Sequence, residues 1–492
     1  TYIYLDNYKD LASATNAPTI PPHPLLTTTM EDQSAIARLR AIFSKSVDDQ
    51  DYEPLGDADE DVRRPILVVP DPAEPFSYME YSVFLLLGIA MLWAWNMFLA
   101  AAPYFQSRFR DDVSILNHFQ SAIISVGCVT NLSSMVVLNH LQATASYPRR
   151  IIYALILNTI VFTLLCISTS LFPNVSSPGY LAFTLIMVFS TSCATGLIQN
   201  GAFAFASSFG RAEYIQAIMT GQAVAGVLPS FAQIMSVLAI PVHDKWEDPS
   251  ALADSLANEA KTSAFIYFLT ATLISLFTLF AFLPLVRKHN RIVELKMLTE
   301  AESDDGLYGG KRKTVSMWTL YKKLHFMAGT VFVCFAITMF FPVFTQKILS
   351  VVPEDRAPRL FQPTTFIPLG FLVWNLGDFG GRLLTIIPVP NISSRPWLMF
   401  TLALLRGAHL PLYLLCNIEG KGAKIKSDAF YLIVVQLSFG ATNGYIGSLA
   451  MSHANNFVAE EEREATGGFM SMNLVAGLTF GSLLSFAASS VS

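Results

Sequence analysis

Eleven long apolar runs constrain the fold of this chain more than any other feature of its sequence. Each run has about 20 residues and few charges, the length an α-helix needs to cross the hydrocarbon core of a bilayer. Only 14% of the residues are charged and 52% are hydrophobic, whereas about a quarter of the residues in a soluble domain are charged. Because lipid offers the backbone no hydrogen-bond partners, the runs predict an all-α integral membrane protein with eleven transmembrane helices.

The apolar runs fall into a group of six and a group of five, separated by a long basic stretch. Nine Lys and Arg residues lie within 287–323, and the Glu, Asp and Gly content there argues against a folded domain. We therefore predict an N-terminal half over 79–286, a cytoplasmic linker over 287–323 and a C-terminal half over 324–490. The predicted spans lie near 79–103, 115–140, 151–172, 179–208, 212–240, 262–286, 324–349, 365–388, 396–417, 429–452 and 466–489.

The segment before the first span has a different composition from the rest of the chain. Residues 1–75 are rich in Asp, Glu, Pro, Ser and Thr, with a strongly acidic run over 48–61. Such a segment buries too little apolar surface to offset its chain entropy. We predict that it is a disordered, acidic, cytoplasmic tail.

The distribution of Lys and Arg predicts the orientation in the membrane, because cytoplasmic loops carry an excess of both residues. Basic residues follow the second, fourth and sixth spans, and the loop after the third span has none. This pattern places the N-terminus in the cytoplasm and the C-terminus outside the cell or in a lumen. Three lysines within 421–426 argue mildly against it. An N-glycosylation pattern, Asn174-Val-Ser176, lies on the predicted outer side.

A polar stripe interrupts the eighth apolar run. Asp378 and Arg382 stand four residues apart within 365–388, and each charge alone costs roughly 2.5–3.5 kcal/mol near the centre of a spanning helix. The spacing puts both on one helix face, where they can neutralise each other, and Asn375 lies one turn earlier on the same side. The stripe predicts a substrate site; the alternative is a structural ion pair that locks two helices together.

Amides and aromatic rings in other spans add to the polar character of the bundle. Trp95 lies in the first span, Gln199 and Asn200 in the fourth, Gln222 in the fifth and Asn443 in the tenth. Amides inside a bilayer need partners, which are either neighbouring helices or a ligand. A nucleoside fits this set most completely, because its base can stack and bond to amides while its ribose bonds to an ion pair. A sugar or an amino acid fits it less completely.

Other features of the sequence argue against enzymatic chemistry. His409 and His453 are isolated, and the five cysteines lie in apolar segments at no metal or disulfide spacing. No phosphate-binding loop is present, so the sequence predicts neither an enzyme nor a primary pump. We expect no cofactor and no metal. A net charge of −5 gives no sign of a nucleic-acid partner.

Five motifs in register resemble those of the equilibrative nucleoside transporters. The span-eight motif matches that family's Asn-x-x-Asp-x-x-Gly-Arg at every defined position, and the other four are similar to its motifs in the first, fifth, tenth and eleventh spans. The resemblance covers about residues 79–490 and is greatest to fungal members. The motifs are Leu87-Gly88 to Trp95-Asn96, Ile218-Met219-Thr-Gly221-Gln222, Asn375 to Arg382, Thr442-Asn443-Gly444-Tyr445 and Glu464-Ala465-Thr466-Gly467.

The resemblance implies a major-facilitator-like arrangement of six plus five helices around a central pocket. Apolar and aromatic side chains would hold the base there, at positions that correspond to Leu92, Trp95 and Leu478. Either Gln199 or Asn200 would supply an amide to the base.

The ribose would bind in the eighth span, where the resemblance assigns it Asp378 and Arg382, with Asn375 nearby. The chain departs from the family pattern at Ala94, which replaces a proline, and at Trp93, which adds bulk. A changed pocket lining widens the expected substrates from purine and pyrimidine nucleosides to nucleobases.

The expected mechanism is alternating access about a midplane site between the two halves. The arginine one turn from Asp378 should keep that carboxylate ionised, which favours facilitative, gradient-driven transport. The alternatives are proton-coupled transport of nucleosides or nucleobases, and a major-facilitator-type transporter of another small polar solute. The loop 139–150 lacks the Gly-x-x-x-Asp-Arg motif usual in the latter class. We expect a functional monomer in the bilayer of a vacuolar or other internal membrane, or of the plasma membrane.

Overall fold

The computed structural model describes residues 76–142, 145–171, 175–239, 249–302, 315–353, 356–387 and 392–489. The predicted tail, Asn174 of the glycosylation pattern and residues 303–314 of the predicted linker lie outside these ranges. Within them the regular structure is helical, apart from one isolated bridge between Ile348 and Ile418. The predicted all-α class is confirmed.

The helices follow one another with short connections. A π-helical segment, Phe430–Leu437, runs directly into α13, and short 3-10 turns occupy Arg359–Phe361, Arg406–Ala408, Ala454–Phe457 and Glu460–Glu462. The α-helices are α1 (Tyr78–Ala100), α2 (Ala102–Arg108), α3 (Val113–His140), α4 (Tyr147–Leu171), α5 (Ser177–Ser208), α6 (Ala212–Ala239), α7 (Pro249–Glu302), α8 (Met317–Thr338), α9 (Phe340–Thr345), α10 (Pro363–Leu384), α11 (Pro396–Leu405), α12 (His409–Tyr413), α13 (Ser438–His453) and α14 (Arg463–Ser489).

Nine helices in the described ranges are long and apolar enough to cross a membrane. Two predicted spans are not among them. The eighth corresponds to α10, whose 22 residues include the polar stripe and several Gly and Pro residues that lower its hydropathy. The ninth, 396–417, is divided into α11, a 3-10 turn at Arg406–Ala408 and α12. The count of eleven spanning helices therefore stays a prediction.

The helix α7 continues beyond the predicted sixth span, into the basic stretch as far as Glu302. Hydrogen bonds to one buried carboxylate hold its extension against the rest of the bundle. Lys288 Nζ lies 2.6 Å from Glu80 Oε1, and the Tyr214 hydroxyl donates to Glu80 Oε2 at 2.5 Å. These bonds join α7 to the first turns of α1 and α6.

The two halves of the chain meet along two seams. On one side α10 packs against α6, and on the other α14 packs against α3 and α5. The largest apolar cluster contains residues from both halves, including Phe84 and Met219 from the first and Val331 and Leu474 from the second. The polar stripe of α10 thus lies at an interface between halves.

Glycines allow α10 and α13 to approach until their backbones touch. A Cβ atom added at Gly377 or Gly381 of α10 would overlap a backbone carbonyl of the segment 437–441, and one added at Gly440 or Gly444 would overlap a carbonyl of α10. Small residues at a helix interface permit this separation in a membrane. The close approach brings α13 within hydrogen-bond reach of the α10 carboxylate.

This packing predicts opposite outcomes at two adjacent glycines. Gly381→Ala forces α10 away from α13 and should lower the free energy of unfolding by about 1–3 kcal/mol, the usual cost of overpacking. Gly380→Ala meets nothing within 4 Å and should stabilise the helix by about 0.5–1 kcal/mol through reduced chain entropy. Thermal melting in detergent measures both. Equal melting temperatures for the two variants would contradict the packing.

Candidate functional site

The predicted ion pair forms in the last two turns of α10. Arg382 Nε lies 2.8 Å from Asp378 Oδ2, and the two residues are only 4% and 3% exposed. The helix ends at Leu384, four residues before the predicted end of the span, so the pair is not central in it. A cation in the last helical turn is favoured by the partial negative charge of the free carbonyls there.

The helix α13 supplies the second partner of the carboxylate. Asn443 Nδ2 donates to Asp378 Oδ1 at 2.7 Å, so both carboxylate oxygens accept a hydrogen bond. The Asn443 amide is oriented in turn by Thr338 of α8, whose hydroxyl lies 2.8 Å from Asn443 Oδ1. Asp378 is held rigidly from two sides within the second half.

Arg382 reaches across the interface to α6 of the first half. Its Nη1 donates to the backbone carbonyl of Met219 at 2.5 Å and to Gln222 Oε1 at 3.3 Å. Gln222 Nε2 lies 3.0 Å from the sulfur of Met91, which brings α1 into the same group of contacts. No hydrogen bond from Arg382 Nη2 to the described residues is present, so this donor can serve a ligand.

The third member of the stripe also faces α6. Asn375 Nδ2 lies 3.1 Å from Ser230 Oγ and 2.9 Å from the Phe371 carbonyl one turn earlier. Its Oδ1 lies over Gly226, where an added Cβ would be 2.6 Å away. The structure therefore forms the Asp378–Arg382 pair and places Asn375 against α6, the helix that Arg382 also reaches.

The two α5 amides have different surroundings. Asn200 accepts from Arg150 and lies 3.3 Å from Asn139 Oδ1. Asn139 donates to the Gly468 carbonyl of α14, so Asn200 belongs to a contact between halves. Gln199 is 4% exposed and makes no hydrogen bond to the described residues, which leaves its amide available to a ligand.

The three apolar candidates are half-buried, and two of them, Trp95 and Leu478, pack against the apolar clusters of the bundle. The end of the Trp95 ring lies against Gly127 of α3, where an added Cβ would be 2.8 Å away. Leu92 lies on the same helix, and Leu478 lies on α14. No described hydrogen bond links Trp95, Gln199 or Asn200 to the ion pair.

Several partners of the ion pair were not assigned to it from the sequence. Gln222 and Asn443 stand in two of the motifs, and that signal could have placed them beside the ion pair. The Met219 carbonyl leaves no side-chain signal in the sequence. Asn131 of α3 is a further polar candidate, because its Oδ1 is buried without a partner close to Gly196 of α5.

One groove of the described chain lies away from the polar stripe. A groove of about 380 Å³ lies between α4 and α7, lined by residues such as Cys166, Ile167, Phe265 and Leu269. Its walls are mostly apolar and lie apart from the stripe, so they suit acyl chains better than a polar solute. No group of three or more His, Cys, Asp or Glu in the described ranges could hold a metal ion.

Comparison with known proteins identifies the family. The family described as Nucleoside transporter matches residues 185–489, which include the ion pair, its α6 and α13 partners and both α5 amides. The chain belongs to the nucleoside transporter family. It is therefore a multi-pass membrane transporter of nucleosides and not an enzyme, which confirms the predicted family and class of function.

Individual relatives agree with this membership. The Saccharomyces cerevisiae nucleoside transporter FUN26 is 27% identical over 461 residues, covering 83% of each chain. The human equilibrative nucleoside transporter 2 is 25% identical over 461 residues, covering 82% of this chain and 95% of the relative. The resemblance thus extends into α1–α4, before the family match begins.

Solved structures identify the fold. The Escherichia coli fucose:proton symporter FucP superposes with a TM-score of 0.51 at 13% identity, covering 84% of this chain and 97% of that one. A bacterial homologue of the iron transporter ferroportin gives 0.50 at 10% identity, covering 84% and 92%. At these identities the likeness concerns the fold alone, and it confirms the predicted major-facilitator-like architecture.

The different surroundings of the two α5 amides predict separable phenotypes. Gln199→Ala should raise the KM for uridine by about tenfold, the effect of one lost hydrogen bond to a ligand, with an unchanged melting temperature. Asn200→Ala should lower the melting temperature, because it leaves the buried Arg150 without one acceptor. Uptake kinetics and melting curves of both variants test this. A raised KM in Asn200→Ala alone would reverse the assignment.

Proposed function

We propose that this transporter carries nucleosides down their concentration gradient by alternating access, with the α10 ion pair as the ribose site. The observation that carries the proposal is a buried Asp378–Arg382 pair at the interface of the two halves, in which Arg382 Nη2 has no described partner. Vicinal hydroxyls can donate to a carboxylate and accept from a guanidinium. The ribose presents such a pair.

The base would lie toward the first half of the bundle. Trp95 and Leu92 are half-buried on α1, and Gln199 on α5 has a free amide. An aromatic face accepts any base, and an amide can read its hydrogen-bonding edge. Leu478 of α14 would complete the apolar lining, and nucleobases, which lack the ribose, would bind more weakly.

Polar contacts between the halves support the alternating-access part of the proposal. At the end of the bundle where α5 ends and α14 begins, Asn139 donates to the Gly468 carbonyl and Asn455 donates to the Ser207 carbonyl at 3.4 Å. We call this the α5–α14 end. These two bonds join neutral groups, so they can break and re-form as the halves rock.

The partners of Asp378 favour transport without proton coupling. Both carboxylate oxygens accept hydrogen bonds, from Arg382 Nε and from Asn443 Nδ2. Each oxygen keeps a further lone pair that can accept from a ribose hydroxyl, so ribose binding requires no proton on Asp378. The carboxylate therefore serves as an acceptor for the ribose and not as a proton carrier.

For the membrane arrangement we propose a cytoplasmic N-terminus and a C-terminus outside the cell or in a lumen, from the Lys and Arg distribution. Exposed Trp318, Tyr321 and Trp397 at the first turns of α8 and α11 mark one membrane interface. The α5–α14 end is then cytoplasmic. We further propose that one chain forms the whole pathway, because both halves lie within it, and that the membrane is internal, such as the vacuolar membrane, or the plasma membrane.

Reconstitution into proteoliposomes tests the proposal. The wild type should equilibrate radiolabelled uridine at a rate that an imposed pH gradient does not change. Asp378→Asn and Arg382→Gln should each reduce uptake by at least about tenfold, since each leaves a buried charged partner unsatisfied. Leu376→Ala, on the exposed face of the same helix, serves as the matched control and should transport normally.

Three results would contradict parts of the proposal. If the wild type moved neither uridine nor adenine, the nucleoside substrate would be wrong. Normal uptake by both charge variants would return the ion pair to a structural role. Uptake that rose steeply on acidification of one side, and lost this response in Asp378→Asn while binding persisted, would establish proton coupling.

A further inference from the structure

A second buried arginine lies near the ion pair without a carboxylate of its own. Arg406, in the 3-10 turn after α11, is 2% exposed. It makes no ion pair among the described residues, and its guanidinium lies 5.0 Å from the centre of the Phe439 ring. A buried charge in this position is costly and requires a reason.

The guanidinium of Arg406 is held by neutral acceptors on two helices. Its Nη1 donates to the Cys334 carbonyl of α8 at 2.8 Å, and its Nη2 lies 3.2 Å from Thr338 Oγ1. Its Nε lies 3.3 Å from Thr442 Oγ1 of α13. These contacts bring the cation to the start of the chain of hydrogen bonds that ends at Asp378.

The hydroxyl of Thr338 decides how that chain is oriented. It has one hydrogen and two acceptors at 2.8 Å, the Cys334 carbonyl and Asn443 Oδ1. Arg406 donates to the same Cys334 carbonyl and to the Thr338 oxygen itself. With the carbonyl already satisfied, the hydroxyl hydrogen is free to go to Asn443.

The Asn443 amide then has only one favourable orientation. Its Oδ1 accepts from Thr338, so its Nδ2 must face Asp378, to which it donates at 2.7 Å. The opposite orientation would place an amide oxygen against a carboxylate oxygen. A charge-assisted bond of this kind is stronger than a neutral one and fixes the carboxylate.

We propose that Arg406 is a positioning residue for the substrate site, acting on Asp378 through Thr338 and Asn443. The inference rests on the proposed function, because it assumes that Asp378 contacts the ribose. Arg406 itself lies on the far side of Thr338 and does not touch substrate. We call the hydrogen bonds that join Arg406, Thr338, Asn443 and Asp378 the relay. Loss of any one of them should weaken ribose binding while the helices stay packed.

Two threonines of α8 provide a matched test. Thr330 and Thr338 are both buried and both lie within hydrogen-bond distance of the carbonyl four residues earlier, but only Thr338 also reaches an asparagine. Thr338→Val should raise the KM for uridine by about tenfold, as expected for the loss of a bond that orients a charged group. Thr330→Val should keep the wild-type KM, and Thr338→Ser should restore it.

Arg406 is tested by combination with Thr338→Val. Arg406→Met should raise the KM by a similar factor, and the double variant should be no worse than either single one, because both break the same relay. A purely structural role for Arg406 would instead give additive losses in the double variant. Melting temperatures in detergent, measured for every variant, identify any that fail to fold.

The outcomes separate this inference from the proposed function. If Asp378→Asn transports normally, the ribose site is wrong and the relay loses its purpose. If Asp378→Asn fails while folded Thr338→Val and Thr330→Val share the wild-type KM, the ribose site stands and the relay is wrong. A raised KM in Thr338→Val, with rescue by serine, supports the relay.

Discussion

The requirement that every buried polar group find a partner underlies the whole arrangement of this transporter. In a bilayer an ionised carboxylate or guanidinium without a partner costs several kcal/mol. Asp378 and Arg382 meet this requirement with each other and with residues from both halves, Asn443 on one side and Met219 and Gln222 on the other. The ion pair therefore links three helices, α10, α13 and α6. Its full set of hydrogen bonds forms only when the two halves are in contact.

Close helix packing makes this arrangement possible. The glycines of α10 and α13 let the two backbones touch, and only at that separation does the short Asn443 side chain reach Asp378. On the other face, Asn375 lies over Gly226 of α6 and bonds to Ser230. Polar side chains and glycines thus occur together in the same motifs. The polar side chains reach their partners only because the glycines allow a short distance between the helix backbones.

A single cationic side chain contacts both halves of the bundle. Arg382 bonds through Nε to the carboxylate of its own half and through Nη1 to a backbone carbonyl of the other half. A nucleoside bound at the remaining Nη2 would therefore act on a residue that already bridges the halves. In the proposed function, substrate binding and the change of access would be coupled at this one guanidinium, which suits a carrier that needs no second ion.

The sequence by itself determined the membrane class, the family and the polar stripe, because apolar length, charge spacing and local motifs are properties of contiguous residues. It did not determine where α10 ends, that 396–417 divides at Arg406, or which of Gln199 and Asn200 has a free amide. Those depend on residues distant in the chain: Asn200 is engaged because Arg150 and Asn139 lie beside it. Likewise, only tertiary packing places Arg406 behind Thr338 and Asn443, since side chains from α8, the turn after α11 and α13 must meet in space.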